Sequence, residues 1–245
     1  MKKLNDAKKS VLGNMIIRQT MGGVRKEDMI RDRGDLKERI KEEYKKQNSD
    51  KTNKLDLTML DVSLVKDMSY MFCEYDNLKS IDVSNWDVSN VKSMKTMFYG
   101  CSSLEHIDVS HWNVSSVEDM SGMFWNCSSL KSIDVSNWDV SNVKDMKFMF
   151  CRCKSLDSID VSKWNIGNVI EMRSMFNSCM SLKTIDVSNW DVSNVKNMIY
   201  MFFNCKFLES IDVSNWNVSN LQNMSYMFYG CNFDYKQEGN RLVRI

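Results

Sequence analysis

The sequence predicts an α/β repeat solenoid of about seven 26-residue strand–turn–helix coils behind an N-terminal charged helix. Three observations carry that prediction. Trp86, Trp112, Trp138, Trp164, Trp190 and Trp216 stand 26 residues apart. Met-Phe pairs beginning at Met71, Met97, Met123, Met149, Met175, Met201 and Met227 keep the same step, and so do Cys101, Cys127, Cys153, Cys179, Cys205 and Cys231. A fixed period of roughly 20–50 residues marks a stacked architecture, in which each unit covers the apolar face of its neighbour.

In chain order, residues 1–51 read as a basic charged arm and capping helix. Gly22-Gly23 ends the arm, and Met29, Leu36, Ile40 and Tyr44 then fall on one helical face that would lie over the open first coil. Residues 52–233 form the repeat solenoid. Its first coil has Leu60 in place of Trp and Tyr75 in place of Cys, the atypical composition expected of a terminal repeat. Residues 234–245 are a tail or cap, with Leu242, Val243 and Ile245 suited to a last edge strand guarded by Arg241 and Arg244.

Within one unit, Ile81-Asp82-Val83-Ser84 alternates as a half-buried strand does. Asn85-Trp86-Asp87-Val88 is a turn with two apolar anchors. Val91, Met94, Met97, Phe98 and Cys101 then share a helical face, with Ser89-Asn90 as N-cap. Asp67, Asp119 and Asp145 would complement the dipole of such helices. Fourteen of the 20 methionines lie in two ladders and read as adaptable core filling.

Net charge is +1, yet residues 1–51 hold 15 basic and 9 acidic residues, so a balance of +6 faces −5 in the remainder. A solvated segment accounts for this better than a nucleic-acid or membrane partner. Residues 11–17 are too short and broken for a signal sequence, and no stretch is apolar for 18 residues, so the chain as given is expected in the cytoplasm.

Met97-Phe98, Cys101, Leu104, Ile107 and Val109 resemble the A-F-x-x-C-x-x-L-x-x-I-x-I core of the BspA-like leucine-rich repeats. Asp108-Val109-Ser110 and Trp112-Asn113-Val114-Ser115 are similar to the variant of that repeat in bacterial lipoprotein-like surface proteins. The resemblance runs from Thr52 to Phe233 and implies a leucine-rich-repeat-like solenoid that binds other macromolecules, with the cell surface as an alternative location. The chain departs from it in showing no export signal and no lipidated cysteine. The ordinary motif L-x-x-L-x-L-x-x-N places Trp86 where asparagine would stand, so the usual asparagine ladder is expected to be missing.

Catalytic chemistry finds little foothold. His106 and His111 near Cys101 match no zinc spacing, and there is no phosphate-cradling loop or nucleophile elbow. No catalytic residue, metal ligand or cofactor is assigned. Arg33-Gly34-Asp35 spells an adhesion tripeptide, which a helix would hide. The ladder cysteines read as reduced buried thiols, with Cys73 and Cys151 as the more reactive pair.

The strand's polar face is the candidate binding surface. Asp82, Asp108, Asp134, Asp160, Asp186 and Asp212 form a like-charged column, which strand neighbours disfavour. Beside it Lys79, Glu105, Lys131, Asp157, Lys183 and Glu209 alternate in sign. No glycine-rich loop suits the Asp column to calcium. The expectation is a non-catalytic scaffold that binds an unknown protein or other macromolecule on this face. The alternative is a structural or self-assembling protein joined through the N-terminal helix or an open solenoid end.

Overall fold

The computed structural model describes residues 30–48, 52–233 and 235–244. The arm up to residue 29, with Met29 of the apolar stripe, and linker residues 49–51 lie outside the described residues. Helix α1 is Arg33–Gln47. Two short strands, β1 (Lys54–Asp56) and β2 (Ser80–Asp82), pair in parallel with Leu55 opposite Ile81. Strands β3 (Tyr235–Glu238) and β4 (Arg241–Arg244) form an antiparallel hairpin at the C-terminal end.

Helix α1 starts at Asp32, whose Oδ1 accepts from the amides of Gly34 and Asp35 at 2.7 and 3.0 Å. Leu36 and Ile40 are fully buried. The helix crosses the first coil and is tied down at both ends. Arg33 Nε donates to Ser69 O at 2.7 Å. Gln47 pairs with β1 through both amide atoms, donating to Asp56 O and accepting from Asp56 N, each at 2.8 Å. That pairing occupies the edge of a strand that would otherwise be open to another chain.

Between these ends the chain winds as superposed coils. The six tryptophans of the ladder stack with centroids 6.4–6.5 Å apart and planes within 5° of parallel. A second aromatic ladder runs beside them from Phe72 to Phe228, with spacings of 5.1–5.7 Å. Both ladders, the two methionine columns and the leucine column from Leu78 to Leu208 are buried, except at the last coil, where Met224 is half-buried.

The helix expected over Val91–Cys101 and its equivalents is absent. The spacing of three between apolar residues has another cause. Trp86 N donates to Val83 O, Val91 N to Val88 O, Met97 N to Met94 O, Cys101 N to Phe98 O and Leu104 N to Cys101 O, at 2.9–3.2 Å. Each of these tight turns begins and ends on a buried residue. A string of turns anchored in a core reproduces the apolar spacing of a helix without being one. Two residues per coil hold a left-handed backbone that no helix contains: Thr96 and Gly100, then Gly122 and Asn126, then Phe148 and Arg152. At Gly122 a Cβ would also meet Thr96 Cγ2 at 2.9 Å.

This turn face carries the main inter-coil ladder. The amides of Met94, Thr96, Phe98 and Gly100 donate to the carbonyls of Asp119, Ser121, Met123 and Trp125 in the next coil, at 2.8–2.9 Å. The parallel bridges Asp67–Ser93–Asp119–Asp145–Glu171–Asn197–Asn223 mark its start. The strand face is thinner. Beyond β2 it keeps one amide bond per coil, from Glu105, Lys131, Asp157, Lys183 and Glu209 to the carbonyl of the residue 26 positions earlier.

Candidate functional site

Three side-chain donors, one at each corner of the coil, fix the frame on which the polar face stands. Indole Nε1 of Trp86, Trp138, Trp164, Trp190 and Trp216 donates to a carbonyl one coil back, at 3.0–3.1 Å. Trp112 Nε1 has no such partner. The thiols of Cys101, Cys127, Cys153, Cys179, Cys205 and Cys231 donate to the carbonyls of Phe72, Phe98, Phe124, Phe150, Phe176 and Phe202 at 3.1–3.2 Å. Asn90, Asn142, Asn168, Asn194 and Asn220 donate through Nδ2 to the carbonyls of Ser63, Ser115, Ser141, Gly167 and Ser193 at 2.7–2.8 Å. The motif's own asparagine position is tryptophan throughout these six coils, and a different asparagine ladder is present in its place. It stands four residues after the tryptophan and is interrupted at Ser116.

Carboxylates and amides close the turns between these corners. Oδ1 of Asp82, Asp108, Asp134, Asp160, Asp186 and Asp212 accepts from the amide of the serine two residues on, at 3.0–3.1 Å. From Asp108 onward the serine hydroxyl donates to the same oxygen at 2.7–2.8 Å. A second set, Asp87, Asn113, Asp139, Asn165, Asp191 and Asn217, makes the same turn. Asp67, Asp119 and Asp145 form a third set and bond the amides of Ser69, Ser121 and Lys147. With no helix there to complement, this replaces their expected dipole role. The like-charged Asp column is thus first a column of turn closures. Serine hydroxyl donation, then amide donation, holds Asp108, Asp160 and Asp212 below the usual carboxylate range.

All six aspartates of the column are exposed. Asp134, Asp160 and Asp186, with Ser132, Ser158 and Thr184, line a groove of about 560 Å³ across three coils. A second groove, about 450 Å³, runs along Asn142, Lys144, Asn168, Ile170, Asn194 and Lys196. In the alternating column Glu105 lies 3.8 Å from Lys79 Nζ and 3.2 Å from Lys131 Nζ. Lys131 lowers the Glu105 pKa by hydrogen bonding and by charge. Glu118 sits likewise between Lys92 and Lys144, at 3.9 and 2.8 Å. Among the described residues, Asp157, Lys183 and Glu209 form no ion pair, so charge compensation stops one coil before the groove's centre.

Other expected features are separated by the fold. His106 and His111 are exposed while Cys101 is buried against Phe72 O. Among the described residues no three His, Cys, Asp or Glu groups gather as a metal site would require. All eight cysteines are free thiols. Cys151 is not the reactive thiol its place off the ladder suggests: it is buried, and burial pushes its thiol up to about 12, while burial also raises that of Cys73. Cys73 is half-buried. Arg33 of the Arg-Gly-Asp tripeptide is anchored on Ser69 O in the first turn of α1.

One surface feature had no sequence-level reading. Aromatic rings recur outside the core on the turn face. Tyr99, Trp125 and Phe148 contact in series at 4.9 and 5.0 Å, with the Arg173 guanidinium over Phe148 at 5.3 Å. Tyr200, Phe203, Tyr226 and Tyr229 form a second group.

The model of the family described as "Mycoplasma protein of unknown function, DUF285" matches this chain twice, over residues 39–159 and 128–240. No curated protein matches it. Among solved structures it is similar to a leucine-rich repeat protein from Eubacterium ventriosum. The two are 23% identical over 71% of this chain and 43% of that one, with a TM-score of 0.49. The chain thus spans less than half the length of that protein. It is also similar to the T. pallidum leucine-rich repeat protein, 19% identical over 64% of this chain and 68% of that one, with a TM-score of 0.46. The architecture described above rests on the chain's own ladders and not on these likenesses.

Proposed function

We propose that this chain, which belongs to the DUF285 family of Mycoplasma proteins of unknown function, is a non-catalytic leucine-rich-repeat-like scaffold that binds another macromolecule, a protein foremost, on its polar strand face. One observation carries the reading. The groove through Asp134, Asp160 and Asp186 presents carboxylate and hydroxyl groups on a backbone locked by three ladders, beside Asp157 and Lys183, which form no ion pair among the described residues. A rigid array of polar groups loses little conformational freedom on binding, which favours recognition. Residues 1–51 then serve as arm and cap, 52–233 as scaffold and 234–245 as closing hairpin. The proposed location is the cytoplasm, with the cell surface as the alternative that the BspA-like resemblance suggests. No helix among the described residues is long and apolar enough to cross a membrane.

The test places a photo-crosslinking residue at Ser158 in the groove and, separately, at Tyr99 on the turn face, in native cells. A discrete adduct from position 158 that disappears with Lys131→Glu and Asp157→Lys, while the fold is retained, is the expected result. Adducts from position 99 alone would contradict the reading.

A further inference from the structure

The two ends of the stack are hydrogen-bond complements, and only one is sealed. Every coil of the turn face points four amides toward the next coil and four carbonyls toward the previous one. In the last coil the carbonyls of Asn223, Ser225, Met227 and Tyr229 accept from Met198, Tyr200, Phe202 and Asn204. The amides of Met224, Tyr226, Phe228 and Gly230 meet no acceptor among the described residues. The side chains around them are bare as well. Leu221 and Met224 are half-buried, where Val195 and Met198 one coil earlier are buried. Tyr226 and Tyr229 are 59% and 63% exposed, each stacked on one face only, by Tyr200 and Phe203.

The β3–β4 hairpin closes the other half of this end. Tyr235 Oη donates to Ile211 O at 2.6 Å, Val218 N donates to Asn240 O at 2.8 Å, and Phe228 packs on Phe233 and Tyr235. At the opposite end the outward carbonyls belong to Asp67, Ser69, Met71 and Cys73. There α1 lies across the coil, with Arg33 on Ser69 O and Tyr44 edge-on to Tyr75 at 5.0 Å.

We propose that the rim Leu221–Gly230 is a docking edge for the first coil of a second copy of this chain, and that α1 is the plug controlling access to it. The polarity of the edges selects this occupant. Two rims meeting face to face would set amide against amide, so a two-fold dimer through this edge gains no hydrogen bonds. A head-to-tail contact instead sets four amides on four carbonyls. It also places Leu221, Met224 and Tyr226 over Val65, Met68 and Tyr70, their equivalents in the repeat. Heterologous contacts of this kind do not close and grow into chains. With α1 seated the acceptor edge is covered, and the protein stays monomeric.

Sedimentation velocity of the full chain tests this without reference to the strand-face partner, since every substitution lies off that face. Wild type is expected to be monomeric. Leu36→Asp with Ile40→Asp unseats α1 and is expected to give concentration-dependent growth. Adding Tyr226→Glu and Tyr229→Glu should weaken that association by roughly tenfold or more, and a peptide spanning residues 32–48 added in trans should reverse it. If Leu36→Asp with Ile40→Asp fails to fold, Arg33→Ala with Gln47→Ala loosens both ends of α1 without charging the core, and the same growth is expected. An unplugged, folded variant that remains monomeric overturns the proposal and leaves the rim to another polypeptide. Association that is indifferent to Tyr226→Glu and Tyr229→Glu overturns it equally.

Discussion

The two long faces of each coil obey the same 26-residue period but are held in different ways. On the strand face, from Lys79 to Asn90, side chains do most of the bonding: Asp closes turns, Trp and Asn reach back one coil, and the backbone supplies one bond between successive coils. On the turn face, from Met94 to Gly100, the backbone supplies four bonds per coil. The sequence follows this division. Asp-Val-Ser-x-Trp recurs in six coils, because Asp accepts the turn-closing bonds and Trp reaches back one coil, so that replacing either removes a bond. The column Tyr70, Thr96, Gly122, Phe148, Ser174, Tyr200, Tyr226 takes almost any residue, because the main chain is what binds there. On the strand face it is the variable column Lys79, Glu105, Lys131, Asp157, Lys183 and Glu209 that the turn closures leave free to serve recognition.

The comparison can be broken most forcefully at the tryptophan ladder. Trp164→Ala removes a ring stacked on both sides at 6.5 Å and a donor to Val135 O. A loss of about 3–5 kcal/mol is expected in urea unfolding. Asn194→Ala removes one side-chain bond to Gly167 O, and a loss of about 1 kcal/mol is expected in the same measurement. A turn-face substitution should behave in the opposite sense. Arg152 has φ 61°, so Arg152→Gly relieves a left-handed strain and is expected to be neutral or stabilising by up to about 1 kcal/mol. In a helix the same change would cost about 1 kcal/mol.

The smallest effect is acid sensitivity. Asp108, Asp139, Asp160 and Asp191 are held below the usual carboxylate range, chiefly by serine hydroxyls. Their lowered folded pKa contributes stability above the unfolded value of roughly 3.9. That contribution is lost as pH falls through the folded values. The urea midpoint should stay level between about pH 7 and 5 and drop below about pH 4. A midpoint that rises on acidification would contradict the turn-closing role.

The period, the buried columns and the stacked tryptophans were legible because identical residues recur at one step. The helix was misread because turns anchored at Met94, Met97, Phe98 and Cys101 share helical apolar spacing. A signal against it is present in Gly100, Asn126, Asn204 and Gly230, one column rich in residues that tolerate a left-handed backbone. The asparagine ladder stands four residues after the tryptophan, where the repeat motif holds no asparagine, so the motif does not reveal it. Three residues of the Asp column line the groove, while the first duty of those carboxylates, closing turns, depends on backbone geometry that spacing alone does not reveal.

The most direct measurement is the sign of φ along the turn face in solution, from amide-to-α-proton contacts and carbon shifts at Asn126, Phe148, Arg152, Ser174 and Ser178. The stacked-turn account predicts a left-handed backbone at all five, together with cross-peaks between equivalent residues of adjacent coils. Helical values running without interruption from residue 143 to residue 153 would contradict it.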